Sequence, residues 1–206
     1  IARFGATIDI ILNRYTFERQ SILKTYQEAV RVYRENYQYD EIQGIERVVV
    51  ETIPEKAFRE AIANALIHRT WDVSAHIRVA MYDDRIEITS PGGLLDQISK
   101  EDYLYKEVSM LRNPVIGNVF FRLHLIEQFG TGVQRIIASY KHCKRQPVFD
   151  ISENFIKITL PVVSQDIVNM SPLAQRIYEA LQDRELPTRY LQALCGKVFV
   201  CLFFSS

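Results

Sequence analysis

The stretch "FREAIANALIHRTW", residues 58–71, constrains the chain more than any other. At about 100° per residue, Glu60, Asn64 and His68 fall on one helical stripe roughly 80° wide. Phe58, Ile62, Ala65 and Leu66 cover the opposite side. A helix apolar enough for a core that also carries a carboxylate, a carboxamide and an imidazole one turn apart must bury one face. The other face is not the usual lysine and glutamate mixture, and its chemistry suits a cleft.

The rest of the chain agrees with a folded α/β protein. Its 206 residues allow one full core plus a smaller attachment. Apolar residues make up 48% and charged residues 24%, as in an ordinary globular protein. The 25 basic and 25 acidic side chains cancel, so no global field recruits nucleic acid or membrane, and a DNA partner needs a local patch. Cys143, Cys195 and Cys201 form no CxxC pair and have no histidine at zinc-ligand spacing, so a disulfide scaffold and a zinc site are both disfavoured. A reducing cytoplasmic location is expected. No apolar run approaches the ~20 residues of a membrane span. The chain opens on Ile1, and a fragment of a longer protein is expected.

Patterning gives the organisation. "IARFGATIDIIL" reads as a strand whose original partners are missing. Ile22, Leu23, Tyr26, Ala29, Val30 and Tyr33 recur at three and four and predict an amphipathic helix. "IERVVVETIP" predicts a strand, and Thr52, Pro54 and Glu55 resemble a capping box that starts the central helix near Ile53. Ile77, Val79, Met81, Ile86 and Ile88 alternate across Asp83-Asp84, which predicts an antiparallel hairpin with one buried face. Residues 94–111 have weak periodicity and suggest a long mobile connection of the kind that acts as a lid. Asn113 as N-cap and Pro114 at the first helical position open a helix expected to close on Gly130. "TGVQRIIASYKHC" predicts another helix, and "PVFDISENFIKITLPV" predicts two strands around a Glu153-Asn154 turn. The tail, residues 170–206, reads as the start of a helix-turn-helix cut short before a recognition helix.

Several motifs bear on chemistry. No GxxxxGK[ST] occurs, and "GTGVQR" lies between helices rather than after a strand, so P-loop and Rossmann readings fail. Gly130, Thr131 and Gly132 instead suit either an anion-binding turn before a helix or a glycine-permitted helix corner. Glu60 can hold and polarise a water while Asn64 offers oxygen to a hard cation such as Mg²⁺. His68 is either a hydrogen-bonded structural histidine or a catalytic or ligating one. Arg112 can lend a cation to phosphate or form a surface ion pair. Lys141, His142, Lys144 and Arg145 form a basic run that also suits a helix C-terminus. No serine or cysteine sits in a nucleophile-elbow context.

The order of "REAIANALIHRTW", "YDDRIEITSPGGL", "RNPVIGNVFFRLHLIEQFGTGVQRI" and "FIKITLP" resembles the GHKL or Bergerat ATP-binding fold. More narrowly, it resembles the RecG-type ATPase-like domain of bacterial and archaeal transcriptional regulators. That resemblance implies a two-layer sandwich, with a mixed, mostly antiparallel sheet and helices on one face. It implies a connector at residues 1–47, the ATPase-like domain at 48–163 and a truncated winged helix at 170–206. Glu60 would match the general base and Asn64 the Mg²⁺ ligand. Ser90, Gly92 and Gly93 stand where the family carries DxGxG and its adenine-binding aspartate, while Gly130, Thr131 and Gly132 match the phosphate-wrapping glycines. ATP and Mg²⁺ are the implied cofactors, with DNA reached through flanking domains, a homodimer, and no membrane. Two function classes follow: an ATP-dependent conformational switch with weak ATPase activity at most, or a regulatory and dimerisation module that kept the fold without nucleotide.

Overall fold

The central sheet follows from alternation. In the computed structural model, which describes residues 1–106, 110–126 and 130–163, strand β5 (Arg78–Met81) pairs antiparallel with β6 (Arg85–Pro91) across the two-residue Asp83-Asp84 turn. β6 pairs with β8 (Phe155–Pro161), and β8 with β7 (Val148–Ile151) across Glu153-Asn154, both antiparallel. Ile86, Ile88, Ile156, Ile158 and Leu160 alternate onto one buried face with Val79 and Met81. Both hairpins stand where the alternation predicted them.

The N-terminal segment departs from expectation. It is a hairpin, β1 (Ala2–Phe4) against β2 (Ile11–Arg14), rather than one strand. β1 has a second partner as well, since it runs parallel to β5 through Ala2 opposite Ala80 and Arg3 opposite Met81. The resulting six-stranded mixed sheet has the order β2-β1-β5-β6-β8-β7.

Helix α1 (Ile22–Tyr37) begins where Ser21 Oγ accepts a hydrogen bond from the Lys24 N–H at 3.2 Å. Its apolar stripe supplies Tyr26, Ala29, Val30, Tyr33 and Tyr37 to the core. β3 (Gln38–Gln43) follows directly and pairs with β4 (Glu46–Glu51) as a separate two-stranded sheet. Only β4 carries an apolar run in the sequence. β3, "QYDEIQ", gives no such signal and is fixed by its pairing.

Helix α2 (Glu55–His68) is the element around which the core assembles. Nine of its residues are buried: Ala57, Phe58, Glu60, Ala61, Ile62, Ala63, Ala65, Leu66 and Ile67. Its alanines keep it thin, so α1, α4 (Pro114–Arg122), α5 (Gly132–Ala138) and the sheet all approach it closely. Phe58 stacks on Tyr33 with ring centroids 4.5 Å apart, and Tyr33 donates its hydroxyl to the Ile53 carbonyl at the helix entrance. The expected capping box does not form. Thr52 Oγ1 is turned to the Tyr37 carbonyl, and Glu51 Oε2 accepts from the Glu55 N–H at 2.7 Å instead. The preceding strand delivers that carboxylate, which also suits the positive end of the helix.

Two further expectations are corrected. Residues 94–111 contain a helix, α3 (Lys100–Tyr105), capped by Ser99 Oγ accepting from the Asp102 N–H at 3.0 Å. α4 ends at Arg122 rather than Gly130, with the chain turning through His124 at φ 55. The expected helix-turn-helix start at 170–206 lies outside the described residues. Among the described residues no helix is long and apolar enough to cross a membrane.

Tyr140, fully buried, donates its hydroxyl to the Pro161 carbonyl at 2.9 Å and pins the end of β8 to the segment after α5. Tyr140→Phe keeps the ring and leaves that carbonyl short of a donor. Urea unfolding should show a loss of about 1–2 kcal/mol.

Candidate functional site

The polar stripe of α2 is turned inward. Glu60 is 6% exposed, and its Oε2 lies 3.7 Å from Arg135 Nη1 on α5. Gly132, the first residue of α5, sits directly on the stripe. A Cβ placed there would lie 2.5 Å from Glu60 Oε1 and 3.0 Å from Asn64 Nδ2. Only glycine permits this approach, and it brings the backbone of the "GTG" turn against both side chains. Gly130 turns the chain at φ +67, a conformation that favours glycine.

Asn64 and His68 continue the stripe along a cavity of about 80 Å³, whose walls include Tyr103 of α3, Asn118 of α4, and Gly130 and Gly132. Asn64 turns its carboxamide to Gly132, where a Cβ would lie 3.0 Å from Nδ2 and 3.3 Å from Oδ1. A carboxamide can offer both donors and an acceptor to a ligand. Among the described residues no three His, Cys, Asp or Glu side chains cluster as a metal site.

The other expected site residues are already engaged within the chain. Ser90 is 5% exposed and donates its hydroxyl to the Ala65 carbonyl at 2.9 Å. That carbonyl belongs to the last turn of α2, whose acceptors have no partner within the helix. Asn113 does the same work: it stands at the N-terminus of α4 but makes no cap there, and its Nδ2 donates to the carbonyls of Ile67 and Arg69 at 2.6 and 2.8 Å. The N–H groups of Gly92 and Gly93 donate to the carbonyls of Asn154 and Glu153, extending the sheet into the β7–β8 turn. Gly92 holds φ +99 with no room for a Cβ against Thr70. Arg112 points its guanidinium to the carbonyls of Gly93 and Leu94, at 3.0 and 3.4 Å. Thr131 stands at the N-cap of α5 without a side-chain cap, and its carbonyl accepts from the Arg135 N–H.

Glu60, Asn64, His68, Gly93, Arg112, Gly130 and Gly132 therefore border one cavity. Ser90 borders an adjoining void of about 10 Å³ with Asn64, His68 and Tyr103. Burial, assisted by the Arg112 charge, lowers the His68 pKa to about 4, so the imidazole is neutral at pH 7. Burial also raises the Tyr103 phenol to about 12, with the nearby Glu60 charge adding to the shift.

Residues 74–160 match an ATPase-like family model described as "Putative ATP-dependent DNA helicase recG C-terminal". This RecG-type match takes in the Ser90-Gly93 turn, the α3 segment, the glycine turn and the closing hairpin, and it begins after α2. The fold is similar to the crystal structure of the DIP2311 protein from Corynebacterium diphtheriae, with a TM-score of 0.69 and 26% identity. That likeness covers 86% of this chain and 38% of the other, so the chain spans well under half the length of that protein. None of the curated proteins matches the chain.

Tyr103, Arg135 and Asn118 belong to the site and were not singled out from sequence. A signal for the first existed in Ser99 three residues before Asp102, a helix-start pattern that places Tyr103 on the next turn. No local pattern marks Arg135 or Asn118.

Gly132→Ala should displace Glu60 and Asn64 and cost about 1–3 kcal/mol in chemical denaturation, since the neighbours are a helix and a buried carboxylate. His68 supplies a pH dependence. Its folded pKa of about 4 lies below the ordinary 6.5, so as pH falls the unfolded chain takes the proton first. Stability is full above pH 6.5, falls between there and pH 4, and should be lower by roughly 1–2 kcal/mol at pH 5. His68→Gln should flatten that part of the profile, as denaturant midpoints at pH 7 and pH 5 would reveal.

Proposed function

We propose that the cleft between α2 and α5 binds Mg-ATP and that nucleotide occupancy works as a conformational switch in a transcriptional regulator. The observation that carries this reading is the seating of Gly132 against Glu60 and Asn64, which sets a carboxylate, a carboxamide and a glycine turn around one cavity. The RecG-type match over residues 74–160 supports the same reading. On it, the six-stranded sheet and its helices form a Bergerat-type two-layer sandwich.

Each side chain has a role consistent with its position. Asn64 would hold Mg²⁺ through its side-chain oxygen, since this cation needs few protein ligands. Bound Mg²⁺ would neutralise charge on the phosphates. Gly130, Thr131 and Gly132 present backbone rather than side chains to that end of the ligand. Glu60 accepts the proton of a water whose oxygen attacks the terminal phosphorus as the bond to the bridging oxygen breaks. Arg135 Nη1 lies 3.7 Å from the Glu60 carboxylate and sets a cation beside it. Turnover is expected to be slow, consistent with a switch. DNA contact through flanking domains, a homodimer and a cytoplasmic location complete the proposal.

A second reading has its own observations. Ser90, where the family carries an aspartate, brings no charge, and a cavity of about 80 Å³ is small beside the roughly 300–1,000 Å³ of ligand sites. These favour a regulatory module that kept the architecture without nucleotide. Titration calorimetry with Mg-ATP separates the two. Saturable binding that weakens at least about tenfold in Asn64→Ala supports the switch, since one lost charged contact is worth about 1.5–3 kcal/mol. A folded protein that releases no heat supports the module.

A further inference from the structure

Tyr103 of α3 borders the cavity beside α2 and also an adjoining void of about 10 Å³. That void is bounded by Asn64, Ala65 and His68 on the helix side and by Ile88, Ile156 and Ile158 on the sheet side, with Ser90 among them. A space of that size is at or below what one water needs, so no base fits it while Tyr103 stands at its border. Its walls are those a flat aromatic group prefers: branched aliphatic side chains on one side, and a polar edge supplied by a hydroxyl, a carboxamide and an imidazole. Ser90, its proton spent on Ala65, can only accept there. An acceptor at the rim of an aromatic slot suits a base bearing an exocyclic amine.

Tyr103 is held less firmly than the residues that share this border. α2, Ile88, Ile156 and Ile158 belong to the buried core, whereas α3 is six residues long with no buried residue. α3 rests on α5, and its C-terminal end is tied there by Gln134 Nε2 donating to the Lys106 carbonyl at 3.1 Å, at the surface. Segments with few buried contacts open at low cost, and a side chain carried by one can leave a slot that the core cannot vacate.

We propose that Tyr103 is a built-in competitor for the nucleobase, so that a nucleotide enters this cleft only when α3 withdraws the ring. The inference rests on the nucleotide-binding reading above and adds an autoinhibitory contact to it. It explains why the polar stripe of α2 faces a cavity too small for a nucleotide: Tyr103 stands at the border of the space a base would have to enter. Affinity measured on the intact protein is then the intrinsic affinity reduced by the fraction of molecules in which the ring is out.

The test compares the wild-type chain, Tyr103→Ala and Tyr103→Phe by calorimetry, with Mg-ATP, adenosine and Mg-tripolyphosphate as separate probes. Far-ultraviolet circular dichroism establishes that each variant is folded. Tyr103→Ala should tighten Mg-ATP and adenosine by about tenfold or more while leaving tripolyphosphate unchanged, and Tyr103→Phe, which keeps the ring, should behave as wild type. If wild type binds Mg-ATP and Tyr103→Ala binds it no better, the competitor role is overturned and the nucleotide reading survives. A gain equal for tripolyphosphate and adenosine overturns the assignment to the base slot. No binding of any probe by any of the three folded chains overturns both.

Discussion

The last turn of α2 is the point on which the structure depends. A helix this deeply buried has carbonyls at its C-terminal end with neither helix nor water to satisfy them, and each unsatisfied one costs about 1–3 kcal/mol. Ser90 answers the Ala65 carbonyl from the end of β6, and Asn113 answers Ile67 and Arg69 from the start of α4. The Thr70 N–H closes the same corner on the Pro91 carbonyl at 3.0 Å. Two distant stretches of sequence are thereby locked to one helix end. The hydrogen bonds that stop α2 also position the strand end and the helix that wall the cavity beside it.

With that end fixed, the polar stripe can remain inside. Glu60 sits beside Arg135, Asn64 and His68 face a cavity, and the backbone at Gly132 closes against Glu60 and Asn64. Burying polar groups is costly unless they are paired. For His68 that cost appears below pH 6.5, where the unfolded chain takes a proton that the buried ring does not, and a requirement for those groups in the cleft gives the cost a reason.

Periodicity exposed what is governed by local repeats. The alternation at Val79, Met81, Ile86 and Ile88 located the central hairpin, and the Glu60, Asn64, His68 spacing identified the inward stripe. Tertiary demand was illegible. Ser90 and Asn113 have side chains suited to a ligand or a helix cap, and nothing in their neighbours in sequence announces that a helix end twenty-five or forty-six positions earlier, respectively, needs their protons. Glu51 took the capping task from Thr52 for the same reason, since strand pairing with Gln38 rather than residue type decided which side chain reached the Glu55 N–H. α3 escaped because six residues are too few to show a period.

The parallel pairing of β1 with β5 carries a kinetic consequence. Ala2 pairs with Ala80 across α1, the β3–β4 ribbon and α2, which lie between them in sequence. Contacts so distant in sequence form late, because loop closure is unfavourable before other contacts reward it. Until then the free edge of β5 presents Val79 and Ala80 to solvent, and the β1–β2 hairpin carries Ile8, Ile10, Ile11 and Leu12, which remain exposed even in the folded chain. Unpaired edges flanked by apolar side chains favour association between chains. The order in which this sheet closes therefore sets how concentrated the newly made protein can be before self-association competes with folding.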